Sequence, residues 1–349
     1  MRQSRVVVKD QWASHPSTEE RNIFIKTLNI ESTDSISEKP WLLFDNPEIL
    51  QKKLTEILFI NVKYKGPVNT LDFTTFKEKY YNEFISRTFQ KEYNGFYDNR
   101  KISMFNLKEI FVEDHPKFKS FNELFTSENC SLANDLEMLN SDIDLLNEIS
   151  ANLKIIKTFD YEGRKYISIE APTLVKKLED ERASLKGRIL EIDKEVFKFF
   201  KARTSDNRSS ILESKYEKYF MVLSDLEKFF KNYNELNSNL GSIYHRQIPM
   251  VEARQIIDQV KIYEQIIINQ LRGVLHESKE QRYLERDQFL KIDLYLSKDL
   301  KYINDGGFID SELEFLNEVL GLFIRLMIER EFQTKKDLLH LQLDSISNN

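Results

Sequence analysis

Residues 210–241 read SILESKYEKYFMVLSDLEKFFKNYNELNSNLG, and this stretch decides the fold class. Tyr216, Phe220, Leu223, Leu226, Phe230 and Tyr233 recur every three or four positions, the spacing that puts apolar side chains on one face of a helix. Ser210 with Glu213 has the form of a capping box, and Gly241 is a stop signal. The pattern predicts a helix of about eight turns with a wide apolar stripe, wider than the two-position seam of a coiled coil.

Three further segments after Pro172 repeat the pattern. The first carries Leu174, Leu178, Leu185, Ile189, Ile192, Val196 and Phe199. The next opens at Pro249 and runs through Ile256, Val260, Tyr263, Ile267 and Leu271 to about Tyr283. The last starts at a Ser311/Glu314 cap and runs through Leu316, Leu320, Phe323 and Met327 to about Leu341. Phe289 to Leu296 fits either period and is assigned as helix. Wide stripes on long helices predict a mainly α protein, a multi-helix bundle.

Upstream, helices are expected after the cap at Ser17/Glu20, from Asn46-Pro47 to Phe59, over Leu71 to Phe89, and over Leu132 to Leu153. The Leu71–Phe89 segment carries Phe73, Phe76, Tyr80, Tyr81 and Phe84, a stripe expected to be core. Ile155, Ile156 and Phe159 before Glu162-Gly163, with Tyr166, Ile167 and Ile169 after it, predict one small β-hairpin. The expected divisions are 1–30, 31–153, the hairpin 154–170, and a long-helix bundle over 171–349.

Composition agrees with this reading. The chain has 349 residues, with only 9 Gly and 7 Pro, so turns are few and elements long. The net charge of −6 argues against nucleic acid as a partner, since phosphate binding needs a concentrated basic surface. The single cysteine, Cys130, excludes an internal disulfide and a cysteine-based zinc site. Met1 to Asp10 is charged, with no apolar run after it, so no secretory signal is expected. The most apolar window, Phe315 to Ile328, is short and contains Glu318 and Arg325, so no membrane span is expected.

The stretch Trp12-Ala13-Ser14-His15-Pro16-Ser17-Thr18-Glu19-Glu20-Arg21 stands apart from this bland background. A histidine sits just outside a helix start, with an arginine one to two turns later. The Ser-His-Pro-x-x-x-x-Arg segment resembles the C-terminal landmark of HtpX-like membrane zinc metallopeptidases, gluzincins related to the CAAX-processing proteases. The segments Pro40 to Glu48, Tyr93-Asn94-Gly95-Phe96-Tyr97-Asp98-Asn99-Arg100 and Phe159 to Tyr166 resemble the helical extension of long members of that family.

The resemblance implies that residues 1–30 are the tail of a peptidase-like domain. It implies that His15 contacts the oxyanion formed when zinc-bound water attacks a peptide, with Arg21 as a structural anchor. The family's His-Glu-x-x-His helix is lacking; His276-Glu277 has no second histidine after it. The expected chain is therefore the non-catalytic C-terminal region of such a peptidase. Zinc belongs to the family, no metal or cofactor is expected in this chain, and the implied partner is a peptidase core upstream or another protein. The resemblance places it in the cytoplasm or at the cytoplasmic face, as the soluble portion of a bacterial membrane-anchored protein.

The competing reading is a free-standing helical scaffold or protein-interaction protein. Without a zinc site, a surface histidine is the simpler account of His15. The same holds for the other motifs. Arg100 is expected to pair with Asp98 or to bind helix C-terminal carbonyls, as part of a packed loop that pins two helices. Glu179 to Arg182 reads as a solvated face. His245, His276 and His340 are isolated.

Overall fold

In a computed structural model of the protein, the structure describes residues 4–8, 18–28, 40–63, 71–110, 120–153, 155–244 and 248–347. The elements are β1 (Val6–Val7), α1 (Thr18–Thr27), α2 (Pro47–Phe59), α3 (Phe73–Ser86), α4 (Phe121–Leu124), α5 (Ser127–Ala151), β2 (Thr158–Tyr161), β3 (Arg164–Ile167), α6 (Ala171–Lys201), α7 (Asp206–Tyr244), α8 (Met250–Glu280), α9 (Arg286–Leu296), β4 (Ile303–Asn304), β5 (Gly307–Phe308) and α10 (Asp310–Ser347). The protein is mainly α, as expected from the stripes. The chain falls into two compact units, Met1–Thr88 with Ser141–Lys176, and Phe89–Asn140 with Lys177–Asn349. Both are discontinuous in sequence.

In the first unit the expected hairpin forms. β2 and β3 pair antiparallel, Thr158 opposite Ile167 and Tyr161 opposite Arg164. Their two-residue turn puts Glu162 at φ +50° and Gly163 at φ +76°, the left-handed conformation that hairpin loops of this length require. A third strand, which no sequence signal marked, is β1 in the N-terminal lead, paired with Val6 opposite Tyr161. Asp142 on α5, itself buried, fastens that lead: Ser4 Oγ donates to it at 2.6 Å and Arg5 N at 3.3 Å. A second small hairpin, β4–β5, lies in the other unit around Asp305-Gly306.

Helices α2 and α3 form where expected, but their stripes are not core. Neither helix buries a residue, and Phe73, Phe76, Tyr80, Tyr81 and Phe84 are all exposed, Phe73 at 77%. Phe76, Tyr80 and Phe84 instead stack along the helix surface, with ring centroids 6.1 and 6.5 Å apart. Helical spacing collects apolar residues on one face, but whether another element covers that face is a tertiary matter.

The second unit holds the long helices. α7 packs against α8 and α10, and α9 packs against α10. Two apolar clusters fill it. One gathers Phe229, Leu236, Val260, Leu271, Ile292, Leu316 and Phe323; the other gathers Tyr93, Phe96, Phe125, Phe197, Phe200, Tyr216 and Leu338. α10 supplies both, and between them it carries the buried polar run Glu329, Arg330, Glu331, Thr334 and Lys335. Arg330 reaches Asp225 on α7 at 3.0 Å and Glu277 on α8 at 3.2 Å, tying three helices together.

Two helix ends differ from the local signals. α7 begins at Asp206, so Ser210 lies inside it, its hydroxyl donating to the Asn207 carbonyl at 2.9 Å rather than capping. Gly241 sits within the same helix and does not end it. A glycine lowers helix propensity by about 1 kcal/mol, a cost that burial of Leu236, Leu240 and Ile243 on either side readily outweighs.

Candidate functional site

His15 and Trp12 lie outside the described residues, as do the Ser17 cap, His115 and His245. Arg21 is on α1 with its side chain exposed. His276 is exposed and sits 3.7 Å from Glu280 one turn on, and His340 is exposed on α10. His276 and His340 stand on different helices, α8 and α10. Among the described residues no three His, Cys, Asp or Glu side chains are placed to hold a metal ion. The resembled family's zinc therefore has no fitting ligand set there. Glu179 and Arg182 pair loosely on an open helix face, 3.5 Å apart.

The motif that does converge is the segment 93–100. A 3-10 turn over Lys91–Tyr93 leads into Asn94 at φ +48° and Gly95 at φ +75°, so the chain reverses sharply. Phe96 N closes the turn on the Tyr93 carbonyl at 2.9 Å. Tyr93, Phe96 and Tyr97 are driven inward by their rings and stack edge-on with Phe125.

This reversal delivers Arg100 into the interior. It pairs with Asp193 of α6 and not with Asp98: Nη1 lies 2.8 Å from Oδ2 and Nη2 2.5 Å from Oδ1. Nε donates to the Phe96 carbonyl and Nη1 to the Lys101 carbonyl, each at 3.0 Å. The guanidinium lies over the Phe96 ring, 3.9 Å from its centroid. Burial opposes its charge, but Asp193 outweighs that and holds its pKa above the usual arginine value. Ser103 N also donates to Asp193, at 2.7 Å.

Two more helices complete the hub. On α10, Lys335 Nζ donates to the carbonyls of Tyr97 (3.1 Å) and Arg100 (2.9 Å) and sits over the Phe89 ring. Burial pulls its pKa down to about 8, with Glu331 partly restoring the charge. On α7, Tyr219 donates to Glu331 at 2.6 Å and accepts from Ile102 N. Gln342 donates to Tyr216 at 2.7 Å, and Tyr93 donates to the Leu339 carbonyl at 2.7 Å. Burial pushes the Tyr93, Tyr97 and Tyr219 hydroxyls far above the ordinary tyrosine value. The Tyr97 hydroxyl is buried with no hydrogen-bond partner.

The hub is a structural clamp in chemical character. Lys335 spends its donors on main-chain carbonyls and is buried, so it is not presented to an incoming electrophile. The expected packed loop is thus what forms, though it pins three helices and not two. Asp193, Glu331 and Lys335 were not singled out from sequence. Asp193 lies one turn from both Ile189 and Val196, on the apolar face of its helix, and Lys335 stands likewise between Phe332 and Leu338. A charge at a core position is the signal that could have found them.

Beside the hub is an open cleft of about 660 Å³, lined by residues 99–104 and by parts of α5, α6 and α7. Its floor is apolar, formed by the buried Ile102, Ile189 and Leu223. Among the described residues, no helix is long and apolar enough to cross a membrane. No protein-family model, characterised protein or solved structure matches the chain.

Proposed function

We propose that the chain is a non-catalytic helical region that works bound to another polypeptide, and that this polypeptide is the zinc-bearing core of an HtpX-like peptidase. The observation that supports the reading is the uncovered apolar surface of residues 41–85. Trp41, Leu42, Leu43 and Phe44, then Ile57 and Leu58 on α2, then the aromatic row of α3, are all exposed. So much exposed apolar side chain is unfavourable in water and fits a surface that another molecule covers. In this reading His15 faces the peptidase's zinc site as an oxyanion donor and Arg21 anchors the following helix, both by resemblance. Zinc would activate water and polarise the peptide carbonyl there, with ligands from the core.

The test has three parts. An in-frame His-Glu-x-x-His preceded by apolar spans, in the coding sequence upstream of Met1, is expected. Co-expressed with that upstream segment, the chain should co-purify with it, and Phe76→Glu with Tyr80→Glu should release it. Incubated alone with unfolded casein and zinc, the chain should cleave nothing. A chain with no such upstream frame would overturn the peptidase reading and favour a free-standing interaction scaffold, the reading that the self-contained bundle of the second unit supports.

A further inference from the structure

We propose that the cleft beside the Arg100–Asp193 hub binds an extended, apolar, uncharged peptide segment of another polypeptide, which pairs its main chain with that of Ser103 and Met104. The proposal stands apart from the peptidase reading. The cleft is built wholly from residues of the second unit, and the test uses this chain alone.

Three observations select the occupant. The first is the open main chain. Residues 101–105 belong to no helix or strand. Ile102 and Ser103 spend their N–H groups inward, on Tyr219 and Asp193. The carbonyls of Ile102, Ser103 and Met104, and the N–H of Met104, bond to none of the described residues. The Ser103 hydroxyl is equally unspent. Ile102, Ser103 and Met104 line the apolar-floored cleft, and a strand-like peptide can satisfy their open main-chain groups, whereas a helix has its own already paired.

The second is the Arg100 side chain, which also lines the cleft and is only 7% exposed. A guanidinium has five N–H donors. Four are spent on Phe96, Lys101 and Asp193, and one on Nη2 is left over. A buried charged group with a spare donor at a cleft wall is suited to a peptide carbonyl, because Asp193 already neutralises it and a second carboxylate would be repelled.

The third is the balance of the walls. Lys101 and Lys186 face the same cleft as Glu137 and Glu227, so the rim favours neither sign of charge. Leu136, Leu190 and Met104 supply apolar wall above the floor. The volume is within the range of pockets that enclose small ligands or a few peptide residues.

The experiment titrates the full chain into a fluorescein-labelled, end-blocked heptapeptide, Ser-Val-Leu-Thr-Val-Leu-Ser, and reads anisotropy. Saturable binding is expected. A second probe, the same peptide with alternate backbone nitrogens methylated, should bind at least about tenfold more weakly, since methylation removes main-chain donors without touching the protein. Met104→Pro, which deletes an N–H that bonds to none of the described residues, and Leu190→Lys, which puts a charge on the wall, should each weaken binding by at least about tenfold. Circular dichroism checks that each variant is folded. No saturation up to about 1 mM protein, equal binding of the methylated probe, or unchanged binding by both folded variants would each overturn the proposal.

Discussion

Arg100 and Asp193 stand 93 positions apart in the chain and meet as a two-pronged ion pair with almost no solvent, their side chains 7% and 0% exposed. The aspartate also accepts from Ser103 N, and the arginine binds two carbonyls of its own loop. The pair therefore fixes both the course of residues 96–103 and their attachment to α6.

Breaking one half of this pair leaves the other charge buried alone. Arg100→Met or Asp193→Asn should each cost about 3–5 kcal/mol, while the double variant Arg100→Met with Asp193→Leu should cost clearly less than their sum. Urea unfolding measures all three. Single-variant losses below about 1 kcal/mol would show that water reaches the pair.

Lys335 should make stability depend on pH. Burial lowers its pKa from 10.5 to about 8, so between those values the unfolded chain holds a proton that the folded chain has lost. Stability therefore rises with pH from about 8 upward, by about 2 kcal/mol over two pH units. Tyr93, Tyr97 and Tyr219, raised by burial, reverse the trend above pH 10, and the raised Cys130 thiol opposes it above pH 9. Subtracting the profile of Lys335→Met from that of the native chain isolates the lysine. A flat difference between pH 8 and 10 would contradict the assignment.

Phe323 is 1% exposed in the first apolar cluster, whereas Phe220 only borders the second. Phe323→Ala should cost about 3–5 kcal/mol, and Phe220→Ala roughly half that, in proportion to the buried area lost. Chemical denaturation ranks them; the reverse order would mean that α7 is rotated about its axis.

Gly95 at φ +75° has Asp98 Oδ2 3.3 Å from where a β-carbon would stand. Gly95→Ala should cost about 1–2 kcal/mol for the left-handed backbone alone, and more for the crowding. The same change in an Asp98→Ala background should recover part of the loss, read as a rise in Tm. No recovery would place the whole cost in the backbone.

Sequence by itself determined the long helices. A 3-4 apolar recurrence is a local property, so the helices over 171–201, 250–280 and 310–347 were legible from Leu178, Val260 or Leu320 and their neighbours. So was the hairpin, because Glu162-Gly163 is a complete turn signal within two residues. The tertiary structure alone decided what each face meets. The aromatic row of α3 and the stripe of α6 look alike in sequence, yet Phe76 is exposed and Phe199 is buried. It also decided that Arg100 bonds Asp193 and not its neighbour Asp98. Spacing within an element reports which side chains share a face, but burial and ion pairing depend on which distant element arrives there. That is set by summed packing over the whole unit, which no local pattern contains.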